Sequence, residues 1–155
     1  MWNRFLHRLH LARELSLSDW LALAEAWWAL LFFHWRLRWE SFERLAQTAV
    51  PGVKSAEMCH DETGVVISSR LAVAQRLHRL VGWASHLHLL WMTCLPQSLA
   101  LRWMLSRRGI TSDLKIGAMK TRIGIHAHAW VEIEGEMIGD VGVAEKGFNI
   151  FDSVD

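Results

Sequence analysis

Apolar positions in the first third of the chain recur at helical spacing. Trp2, Phe5, Leu6, Leu9 and Ala12 predict an N-terminal amphipathic helix. Ser16 with Asp19 three residues on fits a capping box, which restarts the helix and predicts a second one running to about Ala46. This second helix is apolar nearly all round up to Trp35 and charged beyond it. Pro51-Gly52 in TAVPGVK (48–54) is the clearest break. The pattern is weak over 55–68. From about Ser69, the positions Leu71, Ala74, Leu77, Leu80, Val81 and Ala84 mark another amphipathic helix, with Gly82 a place for it to bend or end. A further helix begins at Cys94, with Thr93 as N-cap candidate and Pro96 tolerated in the first turn. Arg107, Arg108 and Gly109 suit its C-terminal end.

After Gly109 the period changes from 3.6 to 2. DLKIGAMK (113–120), GIHAHAWVEI (124–133) and EMIGDVGV (136–143) read as three strands, and EGE (134–136) as a tight hairpin between the last two. Helices followed by an antiparallel sheet make an α+β layout. Two parts are expected: a hydrophobic helical region over 1–50, suited to docking a substrate or partner, and a core over 55–155.

A chain of 155 residues with 52% hydrophobic and 21% charged residues can build a packed core. The net charge of +1 gives no general pull toward nucleic acid or anionic lipid. Ten tryptophans and no tyrosine are unusual, and imply that some face a partner, a groove or a membrane surface. The most apolar run, WLALAEAWWALLFFHW (20–35), falls short of the ~20 residues that cross a bilayer and is interrupted by Glu25 and His34. A helix buried in this protein or against a partner is expected there, ahead of a membrane-apposed one. Two cysteines make no disulfide framework and the opening residues carry no secretory signal, so reduced thiols and a cytoplasmic protein are expected.

Candidate chemistry centres on Cys94. A thiol attacks as thiolate, a form favoured by a helix N-terminus and by a neighbouring imidazole. On the strand 124–133, His126, His128, Trp130 and Glu132 share one face, while Ile125, Ala127, Ala129, Val131 and Ile133 share the other. The apolar set is expected to pack, leaving the histidine face for chemistry. Pairing about residue 135 sets Asp140 roughly opposite Trp130, within reach of His128 if the two share a face. A carboxylate there would fix the imidazole tautomer. Cysteine on a helix N-terminus, then histidine, then aspartate is the chain order of papain-like and transglutaminase-like enzymes.

CLPQSLALRWMLSRRGI, DLKIGA and HAHAWVEIEGEMIGD together resemble the transglutaminase-like cysteine peptidases of lasso-peptide biosynthesis, the leader-peptidase B proteins in their split form. The resemblance is close over about 94–140. It implies a papain-like core with its nucleophile at a helix N-terminus packed on an antiparallel sheet. It also implies Cys94 as nucleophile, His128 as general base and acid, and Asp140, twelve residues further on, as its orienter. The substrate would be a ribosomally made precursor peptide cleaved between leader and core, delivered by a small separate recognition protein. An ATP-dependent macrolactam cyclase would act next. The chemistry requires neither metal nor organic cofactor.

His126 is the rival base or a substrate contact; the resemblance selects His128 because Ala-Trp-Val-Glu follows it. Trp130 and Trp91 are further candidates for touching substrate. A metal site of Cys94, His126, His128 and Asp140 is a weaker alternative, since strand histidines two apart make good ligands. Cys59, followed directly by His60 and Asp61, cannot converge with them on one bond. His78, His86 and His88 are read as surface or packing residues. The basic stretch 102–122 is read as a solvated face, with a seat for an acidic leader as the lesser alternative. One oxyanion donor is the Cys94 backbone N–H; a second is expected upstream, in the 83–92 region. Two rival functions remain: transamidation, with an amine resolving the thioester, and a non-catalytic Trp-rich adaptor, docking on a partner or a membrane.

Overall fold

The computed structural model describes residues 16–40, 64–88, 92–121, 124–139 and 149–151. The expected helix over 2–12, the break at 48–54, Cys59, Trp91 and Asp140 lie outside them. Among the described residues, three helices precede a four-stranded sheet: α1 (Leu17–Arg36), α2 (Gly64–Leu87), α3 (Cys94–Ser106), β1 (Asp113–Thr121), β2 (Gly124–Ile133), β3 (Glu136–Ile138) and β4 (Asn149–Phe151). The sheet order is β3-β2-β1-β4, with antiparallel pairing throughout. The fold is α+β.

The capping box that starts α1 is present. Asp19 N–H donates to Ser16 Oγ at 3.3 Å, and Ser16 N–H donates to Asp19 Oδ2 at 3.0 Å. Ala22, Leu23, Ala26, Ala29, Leu30 and Phe33 form its buried face, where three alanines let neighbouring backbones come close. The helix ends at Arg36, not near residue 46. From Arg36 to Glu40, the described residues beyond Trp35, only Leu37 still packs on the core, and Trp39 is 77% exposed. With no apolar stripe to carry on, the backbone tightens into Arg38 N–H to Trp35 O and Trp39 N–H to Arg36 O bonds, with Arg36 paired to Glu40.

Helix α2 begins at Gly64, earlier than expected, because Val66, Ser68 and Ser69 are exposed and leave its first turns without an inward stripe. Its predicted stripe is buried at Ala74, Leu77, Leu80, Val81 and Ala84. The helix runs straight through Gly82. Burial of Val81 and Ala84 on either side outweighs the ~1 kcal/mol that a mid-helix glycine costs.

Arg76 on α2 grips the start of α1. Its Nε donates to Asp19 Oδ1 at 2.7 Å and its Nη2 to Oδ2 at 2.6 Å. That pairing lowers the Asp19 carboxyl from 3.8 to about 2. The carboxylate therefore adds stability at higher pH, and that increment is lost as pH falls from 3.8 toward about 2. In thermal melts from pH 5 to pH 2, an Arg76→Met variant should melt below wild type at the upper end, with the gap closing on acidification. A gap independent of pH over that interval would show that the pair does not carry it.

The sheet follows the sequence closely in β1 and β2, which pair from Asp113 opposite Glu132 to Thr121 opposite Gly124. Glu134 (φ 52°) and Gly135 (φ 81°) form the hairpin, both left-handed as a type I′ turn requires. Two points differ from expectation. With a two-residue turn, Val131 pairs with Ile138, one residue off the register that pairing about residue 135 gives. β3 also stops at Ile138, because Gly139 turns away at φ 101°. β4, three residues opposite Ile116–Ala118, is too short to show an alternation in sequence.

The core joins α1, α2, α3 and the second half of the β2–β3 hairpin. Phe33, Leu30, Leu99, Met104, Leu105 and Ile133 are among its fully enclosed side chains. Each such burial contributes about 1.5–3 kcal/mol. The expectation that all of the odd-numbered face of β2 packs fails at its beginning. Ile125 is 80% exposed and Ala127 is exposed, while Val131 and Ile133 are buried where the hairpin joins the helical cluster. Among the described residues, no helix is long and apolar enough to cross a membrane.

Candidate active site

The α3 N-terminus is built from several local ties. Thr93 is the N-cap, as expected, with the extended backbone of that position (φ −75°, ψ 175°), although its side chain makes no capping bond. The Gln97 amide instead donates to Met92 O at 3.0 Å, holding the residues before Cys94 against the first turn. Pro96 is buried there and has no N–H to satisfy. Ser98 Oγ donates to Ala129 O at 2.9 Å, which fixes the helix to β2 one residue beyond His128.

The other end of α3 is equally anchored. Gly109 (φ 71°) closes a Schellman motif, with Ile110 N–H on Leu105 O and Gly109 N–H on Ser106 O. Arg108 donates to Met104 O at 2.8 Å and to Glu25 Oε2 at 2.7 Å, and Arg107 lies 3.5 Å from Glu25 Oε1. These two arginines of the basic stretch therefore bind α1 to α3.

Between the α3 N-terminus and β2 lies a cleft of about 60 Å³. Cys94, Gln97, Ser98 and Leu101 line it from α3, His128 to Val131 from β2, Ile138 from β3 and His78 from α2. A helix-terminal thiol and a strand imidazole thus line one cleft. Cys94 is a free thiol, half-buried. The His128 ring lies near-parallel to Trp130, 16° between planes and 6.2 Å between centroids. Trp130 is 4% exposed and donates its indole N–H to Glu132 Oε1 at 2.7 Å, so it belongs to both core and cleft wall. His126, the rival base, is exposed and does not line the cleft. Among the described residues, no three His, Cys, Asp or Glu side chains are grouped to hold a metal.

His88 is a packing residue, as expected. Its ring stacks on Trp27 at 4.6 Å and 9°, and Nε2 lies 3.0 Å from Trp27 O. His78 is not. Its position four residues after Ala74 and three before Val81 puts it beside the buried stripe of α2, a signal available in the sequence. The ring abuts the backbone after β3: a Cβ at Gly139 would sit 2.2 Å from His78 Nε2. Gly139→Ala combines that clash with φ 101° and should lower stability by about 1–3 kcal/mol, read from denaturant melts. An unchanged midpoint would mean that His78 and the β3 end are not held together.

A family model described as the transglutaminase-like superfamily matches residues 27–151. The chain belongs to the transglutaminase-like superfamily. No curated protein and no solved structure matches it. The matched stretch begins inside α1 and ends at β4, so it takes in α3, both sides of the cleft and much of the helix expected to serve docking. Transglutaminase-like domains are typically those of cysteine-dependent enzymes, and the activity here is of the cysteine-protease or transamidase kind.

Proposed function

We propose that this transglutaminase-like protein is a cysteine peptidase that removes the leader from a lasso-peptide precursor, without metal or organic cofactor. The observation that carries the reading is the cleft shared by Cys94, at the start of α3, and His128 on β2. The motif resemblance over 94–140 supplies the substrate class. In this mechanism His128 takes the Cys94 proton and Sγ bonds to the scissile carbonyl carbon. The tetrahedral intermediate collapses, the C–N bond breaks, and His128 returns the proton to the departing core-peptide amine. Water, deprotonated by His128, then attacks the thioester, releasing the leader carboxylate and the thiol. Asp140 is assigned to orient His128.

The separate recognition protein is assigned to the outer face of α1, where Leu17, Leu21, Trp28 and Trp35 are each at least 66% exposed and recur at helical spacing. The cyclase that closes the macrolactam would receive the released core peptide. Mixing this protein with a candidate precursor and recognition protein, followed by mass spectrometry of the peptides, tests the reading. Free leader acid and free core support it. An amide on the leader carboxyl would instead support transamidation, the second reading that superfamily membership favours. An intact precursor despite demonstrated binding would count against both and for an adaptor.

A further inference from the structure

We propose that the precursor docks as an added strand on the outer half of β2, hydrogen-bonded to the backbone of Ile125 and Ala127, and passes from there over Cys94. The inference rests on the peptidase reading above and names how that site holds its substrate. In the β2–β3 hairpin the two-residue turn makes Ile133 and Glu136 a hydrogen-bonded pair, and Val131 with Ile138 the next one. Backbone direction alternates along a strand, so Ala129, Ala127 and Ile125 also turn their N–H and C=O groups to the β3 side. β3 has stopped by then, and among the described residues no other strand takes its place. The hydrogen bond from Ser98 Oγ to Ala129 O comes from outside the sheet, as that alternation requires, and sets α3 against the edge.

The edge leads to the thiol. Cys94 lies one turn before Ser98 on the same side of α3, and His128, next to Ala127, lines the cleft. Ile125 and Ala127 are both exposed. Strand edges are ordinarily blunted by charges or proline, yet 124–131 holds no Asp, Glu, Lys, Arg or Pro. An extended peptide completes such an edge with its own backbone. Two outward residues offer four backbone groups, a small purchase for a second copy of this chain. They suffice to align a peptide that the recognition protein also holds.

The test uses the full chain as its Cys94→Ala variant with a candidate precursor and recognition protein, and reads amide hydrogen exchange residue by residue by NMR. The Ile125 and Ala127 amides should exchange fast in the free chain and slow on the order of 10-fold or more with saturating precursor. The His126 and His128 amides, which face β1 opposite Met119 and Gly117, should change by no more than about 2-fold. With Cys94 restored, Ala127→Pro removes only the outward N–H, a change that a strand edge tolerates, and should raise KM for the precursor about 10-fold. Ala127→Val keeps that N–H and should stay within about 3-fold of the parent. If the proline variant does not fold, the exchange measurement decides alone. Amides already slow in the free chain, unchanged on demonstrated precursor binding, or slowed equally by the recognition protein alone would each overturn the docking, as would valine as damaging as proline. Slowed amides without Cys94-dependent cleavage would instead bring down the peptidase reading and leave the peptide on its edge.

Discussion

Cys94→Ala will abolish precursor cleavage, lowering the rate by a factor on the order of 10⁴ or more, while the unfolding midpoint changes little. The size follows from the chemistry: without Sγ there is no thioester, and what remains is water attack aided by whatever donors the cleft provides. The small effect on stability follows from the position. Cys94 is half-buried at the first residue of α3, and the helix is held by Gln97, Ser98, Gly109 and the arginine pair on Glu25, none of which touches the thiol through a described hydrogen bond. Cys59→Ser is the paired control. Its neighbours His60 and Asp61 cannot reach the same bond from adjacent positions, so that variant should keep full activity. Cleavage assays with matched melts check both, and activity surviving in Cys94→Ala would remove the nucleophile from the account.

The second large effect falls on His128. His128→Ala should lose about 10³-fold in cleavage and also slow iodoacetamide alkylation, because the imidazole both forms the thiolate and returns the proton to the leaving amine. His126→Ala is the discriminating companion. Two residues away on the same strand, His126 stands outside the cleft and should lose no more than a few-fold. A reversal of that order would exchange the two histidines and show that substrate binding draws the outer half of β2 inward. The alkylation readout separates loss of base from loss of packing, since removing a ring stacked near Trp130 could also disturb the wall.

The elements that carry Cys94 and His128 were legible in the sequence because each carries its own end signals. α3 announces itself with a proline in its first turn and Arg-Arg-Gly at its end, and those residues act as their chemistry dictates, through the left-handed Gly109 and the Arg108 bonds. β2 is legible through ten residues of alternation, and its observed bounds, Gly124–Ile133, are those the alternation gives.

What was hidden depends on partners distant along the chain. The outer half of β2 alternates as well as the inner half, yet Ile125 is exposed, and periodicity does not report how much of a strand its neighbours cover. The hairpin register missed by one because EGE holds a two-residue turn, Glu134-Gly135, while its third member already pairs with Ile133. His78 reads as a surface or packing histidine because His78, His86 and His88 have no acidic companions at ligand spacing. Only the meeting of α2 with the end of β3 sets it against Gly139 and the cleft. Helix α1, apolar all round, can be read as buried or docking; the structure gives it one of each, a core face around Phe33 and an outer face bearing Trp28 and Trp35.

The central claim is that the leader's carbonyl passes through Cys94. Intact-protein mass spectrometry of an acid-quenched reaction with precursor and recognition protein tests it most directly. The account predicts a transient adduct weighing the leader less one water, mapped to Cys94, sensitive to hydroxylamine and absent from Cys94→Ala. Release of leader with no such adduct at any quench time, or at equal rate from Cys94→Ala, would contradict it.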